Sequence, residues 1–242
     1  MCYHSSKNYN VADLEQYYQI NAQDQIKDVW DNMYHENGFD HNLSPVLTAP
    51  DSMGLFSWGL IPWYIKSLDK ALILRNQTLN CISEEMFEKP SYRDSLKDGK
   101  RCLIPMTGFY EWKWEDSKGK EKTPHYIYLK DQPIFSVAGI YSSWKDKEND
   151  TTVYTYSVLT TKANKLMEQI HNNKKRMPVI MPKEFEKDWL NPNLTKEDVL
   201  ELCQPFSDEK MKAHIISKRI TSRKEPTNVP EVLQEVESGR LF

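Results

Sequence analysis

Residues 101–114, RCLIPMTGFYEWKW, set apolar and aromatic side chains around a Gly-containing turn, a texture that reads as β-structure. Similar runs stand on both sides: LFSWGLIPW at 55–63, HYIYLK at 125–130, PIFSVAGIYSSW at 133–144 and TVYTYSVLTT at 152–161. SKGKEKTP at 117–124 and KDKENDT at 145–151 separate them as hairpin or loop signals. This texture begins at about Val46. Upstream, Val11, Leu14, Tyr17, Tyr18, Ile20, Ile26, Val29, Trp30 and Met33 recur at roughly helical spacing, so 11–34 predicts one or two amphipathic helices. Further helices are expected at 91–97, 162–170, 183–189 and 195–203, the last opening on an N-cap Thr with acids in its first turn. Strands with interspersed helices, not strictly alternating, point to α+β.

A chain of 242 residues with 39% hydrophobic and 12% aromatic content can fill one large core, and a single domain over 1–242 is the expectation. There is no internal repeat, low-complexity tract or Gly/Ser-rich linker, and the lysine-rich stretch 217–227 reads as solvated. Thirty-two basic against 35 acidic residues give a net charge of -3, so nothing attracts a polyanion globally. Any nucleic-acid contact must come from a local patch. Four cysteines, at 2, 81, 102 and 203, lack CxxC pairing and read as free thiols of a reducing compartment. Neither a secretory signal nor about 18 consecutive apolar residues occurs, so a soluble, cytoplasmic monomer with no membrane partner is expected.

Cys2 is the most suggestive single residue, because loss of Met1 leaves an α-amine and a thiol on one residue. An α-amine titrates at roughly 7.7 to 8.0, so near neutrality part of it is free to attack an aldehyde, and the thiol can close the imine into a five-membered thiazolidine. The same atoms suit a hydrolytic nucleophile, and a cysteine here can also be an accident of a frayed terminus. Glu111, after the Gly-containing turn, is placed to be partly desolvated, which raises a carboxyl pKa toward that of a general acid. Its alternative is a strand-edge Glu paired with Lys113. His171 follows a predicted helix and precedes Lys174, Lys175 and Arg176, which suits either proton transfer or simple helix capping. Trp58, Trp63, Trp112 and Trp114 are core candidates that can also stack on bases. Cys and His lack metal-ligand spacing, and this chemistry needs neither metal nor cofactor.

Taken together, MC at the start, FSWGLIPW, TLNCISEEMFEKPSYR, GKRCLIPMTGFYEWKW, FSVAGIYSSW, YSVLTTKAN and IHNNKKRMPVIMP resemble the SRAP family, the SOS response-associated peptidases or abasic-site processing proteins. The likeness spans most of residues 1–182. It implies an α+β fold with a barrel-like, mainly antiparallel β core flanked by helices. It further implies single-stranded DNA carrying abasic sites as the partner, a place in the SOS response, and a covalent thiazolidine on Cys2 after Met1 is removed. By the same resemblance Asn80 orients the amine or the sugar, Glu111 assists ring opening and release, and His171 shuttles a proton. Trp58, Arg93, Thr160 and Arg176 match positions that touch phosphates or a displaced base. Asn80 is chosen over Asn76 because only that register also aligns FEKPSYR.

Three departures bear on DNA handling. Tyr3 and His4 stand where the family has Gly and Arg, Ile82 replaces an arginine after Asn80, and the stretch from His171 to Arg176 is longer, so that loop must bulge. Three other readings compete: a cysteine-dependent peptidase or amidase, a non-covalent DNA-binding module, and a purely structural domain. The last leaves the concurrence of four matched residues unexplained.

Overall fold

Alternating and β-branched runs become strands that the flanking helices pack against, and the computed structural model describes residues 2–236. The first half runs β1 (His4–Lys7), α1 (Val11–Tyr18), α2 (Asp24–Val29), β2 (Met33–Asn37), β3 (Leu43–Ala49), β4 (Ser52–Trp58), α3 (Leu68–Arg75), β5 (Asn80–Ile82) and α4 (Pro90–Lys97). There follow β6 (Arg101–Met106), β7 (Gly108–Trp114), β8 (Lys122–Leu129), β9 (Phe135–Asp146), β10 (Thr151–Lys162) and α5 (Lys165–Ile170). The described chain closes with β11 (Arg176–Pro178), β12 (Ile180–Met181), α6 (Glu186–Trp189), α7 (Lys196–Leu202) and β13 (Met211–Ile215).

Five strands form a closed ring. β10 pairs β4, β4 pairs β3, β3 pairs β6, β6 pairs β9, and β9 returns to β10. Only the β10–β4 contact of that ring is parallel. Closure removes the open edges that would otherwise recruit another chain. The long β9–β10 hairpin anchors it, paired from Thr151 with Asp146 to Val158 with Gly139. The result is the α+β architecture with a barrel-like, mainly antiparallel core flanked by helices.

A second sheet, ordered β13-β8-β7-β1-β2, lies beside the ring. β1 is therefore an interior strand, with His4 opposite Tyr110 on one side and Asn37 on the other. Beneath it the Lys7 ammonium is fully buried, 2.6 Å from Glu36 Oε2. It donates to Ser44 Oγ at 2.7 Å and to Tyr156 Oη at 2.9 Å, while Ser5 and Ser44 donate to the Glu36 carboxylate. A buried ion pair survives only with such additional hydrogen bonds. Gly108, at the start of β7, lets Tyr126 lie across the strand, since a Cβ there would stand 2.3 Å from the ring.

Several local expectations shift. The apolar stripe of 11–34 yields α1 and α2, but Met33 opens β2, because its segment pairs with β1 instead of continuing a helix. β-structure does not wait for Val46 either: β1 and β2 precede it, and β3 itself opens at Leu43. The helix expected from Lys162 begins only at Lys165, since Lys162 still pairs with Arg176 and Asn164 is the cap. Stretch 183–189 is a 3-10 turn followed by the single turn of α6. Thr195 does cap α7, in a reciprocal box with Asp198. The stretch 217–227 is not wholly solvated: it contains a 3-10 turn, Lys218–Thr221, whose Ile220 is buried against Tyr110 and Tyr126.

Candidate active site

Four distant segments converge where β1 enters the second sheet. Cys2 is 1% exposed, and its Sγ donates weakly to the His4 carbonyl at 3.4 Å. Burial, and then the neighbouring Glu111 charge, push this thiol well above the usual thiol range. The thiol is therefore held neutral near pH 7, and it needs a base before it can act as a nucleophile.

Asn80 reaches the backbone of Cys2. β5 lies parallel to β10, with Asn80 beside Val158, and Asn80 Nδ2 donates to the Cys2 carbonyl at 2.8 Å. The other amide atom, Oδ1, is buried with no hydrogen-bond partner among the described residues. Tyr92 on α4 donates its hydroxyl to the Asn80 carbonyl at 3.1 Å, fixing the backbone of that residue. Asn76 is elsewhere, at the C-terminal cap of α3 with its side chain on His41.

Glu111 does not sit on a strand edge. β7 is flanked by β1 and β8, and Glu111 is buried opposite His125. Lys113 pairs with Glu115 instead. Burial raises the Glu111 carboxyl to about 7, and its Oε1 has no hydrogen-bond partner among the described residues. A carboxylic acid poised there can give or take a proton near neutrality.

His171 caps α5, its N–H donating to Met167 O at 2.8 Å. Its Nδ1 lies 2.8 Å from the Arg176 carbonyl and 4.0 Å from Glu111 Oε1. A carbonyl only accepts, so Nδ1 carries the proton and Nε2 the lone pair. Burial lowers the His171 pKa to about 4, leaving a neutral base at physiological pH. The longer loop is accommodated by a turn in which Lys175 takes φ 49 and its N–H returns to His171 O at 2.8 Å.

The residues expected to meet DNA are placed less uniformly. Trp58 is fully buried and donates Nε1 to Leu79 O at 2.7 Å, so it braces the strand carrying Asn80 and shows no face to solvent. Thr160 is fully buried as well. Arg93 is exposed on α4 beside Asp94. Arg176 is bound bidentately by Glu84 at 2.7 and 2.8 Å. Lys174 and Lys175 are exposed next to His171. Trp63 is 61% exposed and meets Tyr64, also exposed, edge to face. Sequence reasoning missed Tyr92, Glu84 and the Lys7–Glu36 pair, which stand in polar stretches (KPSYRD, ISEEM, SSKNY and YHENG) that carry no local signal of burial or pairing.

All four cysteines are free and buried. Among the described residues no group of three or more His, Cys, Asp or Glu could hold a metal ion, and no helix is long and apolar enough to cross a membrane.

The family model of the SOS response associated peptidase (SRAP) matches residues 1–223. The abasic site processing protein YoqW of Bacillus subtilis (strain 168) is 42% identical over 183 residues, covering 75% of this chain and 76% of that protein. The abasic site processing protein HMCES of Xenopus tropicalis is 31% identical over 198 residues, 74% of this chain and 56% of that protein. A crystal structure of a protein from Bacteroides thetaiotaomicron superposes with a TM-score of 0.91 at 38% identity, over 98% of this chain and 100% of the other. A Bordetella bronchiseptica structure, at 19% identity and a TM-score of 0.73, shares the fold.

Proposed function

This chain belongs to the SOS response associated peptidase (SRAP) family, and we propose that it processes abasic sites in DNA by covalent capture on Cys2. The observation that carries the reading is the convergence of Asn80, Glu111 and His171 on Cys2, with two buried acceptors, Asn80 Oδ1 and Glu111 Oε1, lacking hydrogen-bond partners among the described residues. Unpartnered buried acceptors cost about 1–3 kcal/mol each, a cost that is relieved when an ammonium or a sugar hydroxyl arrives.

Met1 lies outside the described residues; its removal is part of the proposal. The Cys2 α-amine then attacks C1′ of the ring-opened deoxyribose, and loss of water leaves an imine. The Cys2 Sγ–C1′ bond forms next as the imine nitrogen gains a proton and the thiol loses one, closing a thiazolidine. Glu111, protonated below about 7, supplies the proton that opens the furanose. His171 Nε2 accepts and returns the proton moved during imine formation, and Asn80 holds the Cys2 backbone at the reacting centre. The role in the DNA damage response follows from the same reading.

The burial of Cys2 supports a single-stranded substrate, because a sugar can reach the site only when it is free of the duplex stack. Exposed Trp63 and the lysines beside His171 supply stacking and charge for a flanking strand.

The test is incubation of processed protein, its mass checked for loss of Met1, with single-stranded DNA carrying one abasic site, followed by a denaturing gel. A shifted band absent in Cys2→Ala is expected. Retention lost on denaturation points to a non-covalent module, and turnover of unrelated peptides to a peptidase; either sinks the proposal.

A further inference from the structure

We propose that Glu84 is a positioning residue: by clamping the Arg176 guanidinium it holds the Arg176 carbonyl against His171 and so selects the tautomer of that base. The consequence for adduct formation rests on the function proposed above, whereas the effect on the His171 ring does not.

Arg176 does two jobs with two parts of one residue. Its backbone carbonyl accepts from His171 Nδ1 at 2.8 Å. Its guanidinium is gripped by both Glu84 oxygens, at 2.7 and 2.8 Å, and also donates to the Thr160 carbonyl at 2.5 Å. The fork geometry of a bidentate arginine–carboxylate pair fixes orientation as well as distance. The Arg176 side chain is 15% exposed and its Nε is buried without a hydrogen-bond partner, so Glu84 is the counter-charge this guanidinium has among the described residues. The grip also holds the Glu84 carboxyl below the usual carboxylate range.

The turn that delivers this carbonyl is held through the Lys162–Arg176 pairing with β10 and, at the side chain, through the grip of Glu84 on the guanidinium. Lys175, immediately before Arg176, sits at φ 49, a left-handed conformation that a residue with a Cβ adopts at a cost. β11 is only three residues long, and Arg176 is its first. Free of Glu84, the start of β11 keeps only its pairing with β10, and the carbonyl that accepts from His171 Nδ1 gains freedom to shift. Both tautomers then become accessible, and Nε2 no longer presents its lone pair consistently.

The placement of Glu84 also links the two arms of the site. It follows Asn80–Ile82 in the chain, so one short segment gives Asn80 to Cys2 and Glu84 to the support of His171. Ile82, standing between them, contributes no charge to either interaction.

The experiment compares wild type, Glu84→Gln and Glu84→Ala by long-range 1H–15N correlation of the His171 ring at pH 7, beside single-turnover adduct formation and DNA affinity. Wild type should show a protonated Nδ1 and a bare Nε2. Glu84→Ala should average the two nitrogen shifts and slow adduct formation about tenfold, with DNA affinity changed less than twofold. Glu84→Gln, which keeps one hydrogen bond to the guanidinium, should fall between them and serves if the alanine variant does not fold. An unchanged His171 ring spectrum in both variants overturns the proposal. So does a variant that binds DNA more tightly at an unchanged adduct rate, since Glu84 would then merely mask Arg176. If wild type forms no adduct, the functional reading fails while the ring spectra still decide the role of Glu84.

Discussion

Asn80 Nδ2 holds the carbonyl of Cys2 at 2.8 Å across a sequence separation of 78 residues. The hydrogen bond grips the backbone and leaves the thiol alone. In the proposed mechanism Asn80 sets where the α-amine of a processed Cys2 points, not how acidic its sulfur is.

Asn80→Ala should slow adduct formation about tenfold, the worth of roughly one net hydrogen bond at the reacting centre. Single-turnover time courses on denaturing gels measure it. An unchanged rate would remove Asn80 from the machinery.

Adduct formation should fall off above a pH lying between about 7, where Glu111 gives up its proton, and roughly 7.7 to 8.0, where the α-amine becomes free. Glu111→Gln should be slower below that pH and should lose this limb of the profile. Stability gives an independent check. The Glu111 carboxyl moves from 4.5 to about 7 on folding, so the native state holds its proton more tightly. Its contribution is therefore largest below about 4.5 and is lost as pH rises to about 7. At pH 8 Glu111→Gln should stabilise the fold by on the order of 3 kcal/mol, at about 1.4 kcal/mol per pH unit. Urea titrations at pH 5 and 8 test the sign.

Lys7→Met leaves Glu36 as an uncompensated buried charge and should cost about 3–5 kcal/mol in urea unfolding. Adding Glu36→Gln should recover most of that loss. A single variant costing under about 1 kcal/mol would show that water reaches the pair.

Lys174 and Lys175 supply exposed charge beside His171. Replacing both by alanine should weaken binding of single-stranded DNA and reduce the log–log salt slope by about 0.7 for each phosphate that a lysine no longer neutralises. Fluorescence anisotropy across a salt series reads this directly, and an unchanged slope would place the strand elsewhere.

The β-rich body was legible because its strands are long aromatic and β-branched runs, and α7 because Thr195 and Asp198 form a local capping signal. β2 was not, since the decision between helix and strand at Met33 rests on its pairing with β1, a tertiary fact. The site divides along the same line. Cys2, Asn80, Glu111 and His171 could be singled out by motif and are brought together by the fold. The burial of Trp58 and the capture of Arg176 by Glu84 depend on interactions between segments far apart in the chain. Residue type does not distinguish a tryptophan that stacks on a base from one that braces a strand.

The interior position of β1 bears on the order in which the molecule can be assembled during synthesis. Its neighbours are Met33–Asn37 on one side and Gly108–Trp114 on the other. A ribosome adds roughly 5–20 residues per second, so the second neighbour emerges only after several seconds. Throughout that interval β1 lacks its pairing with β7. Once β7 docks, the same segment is enclosed.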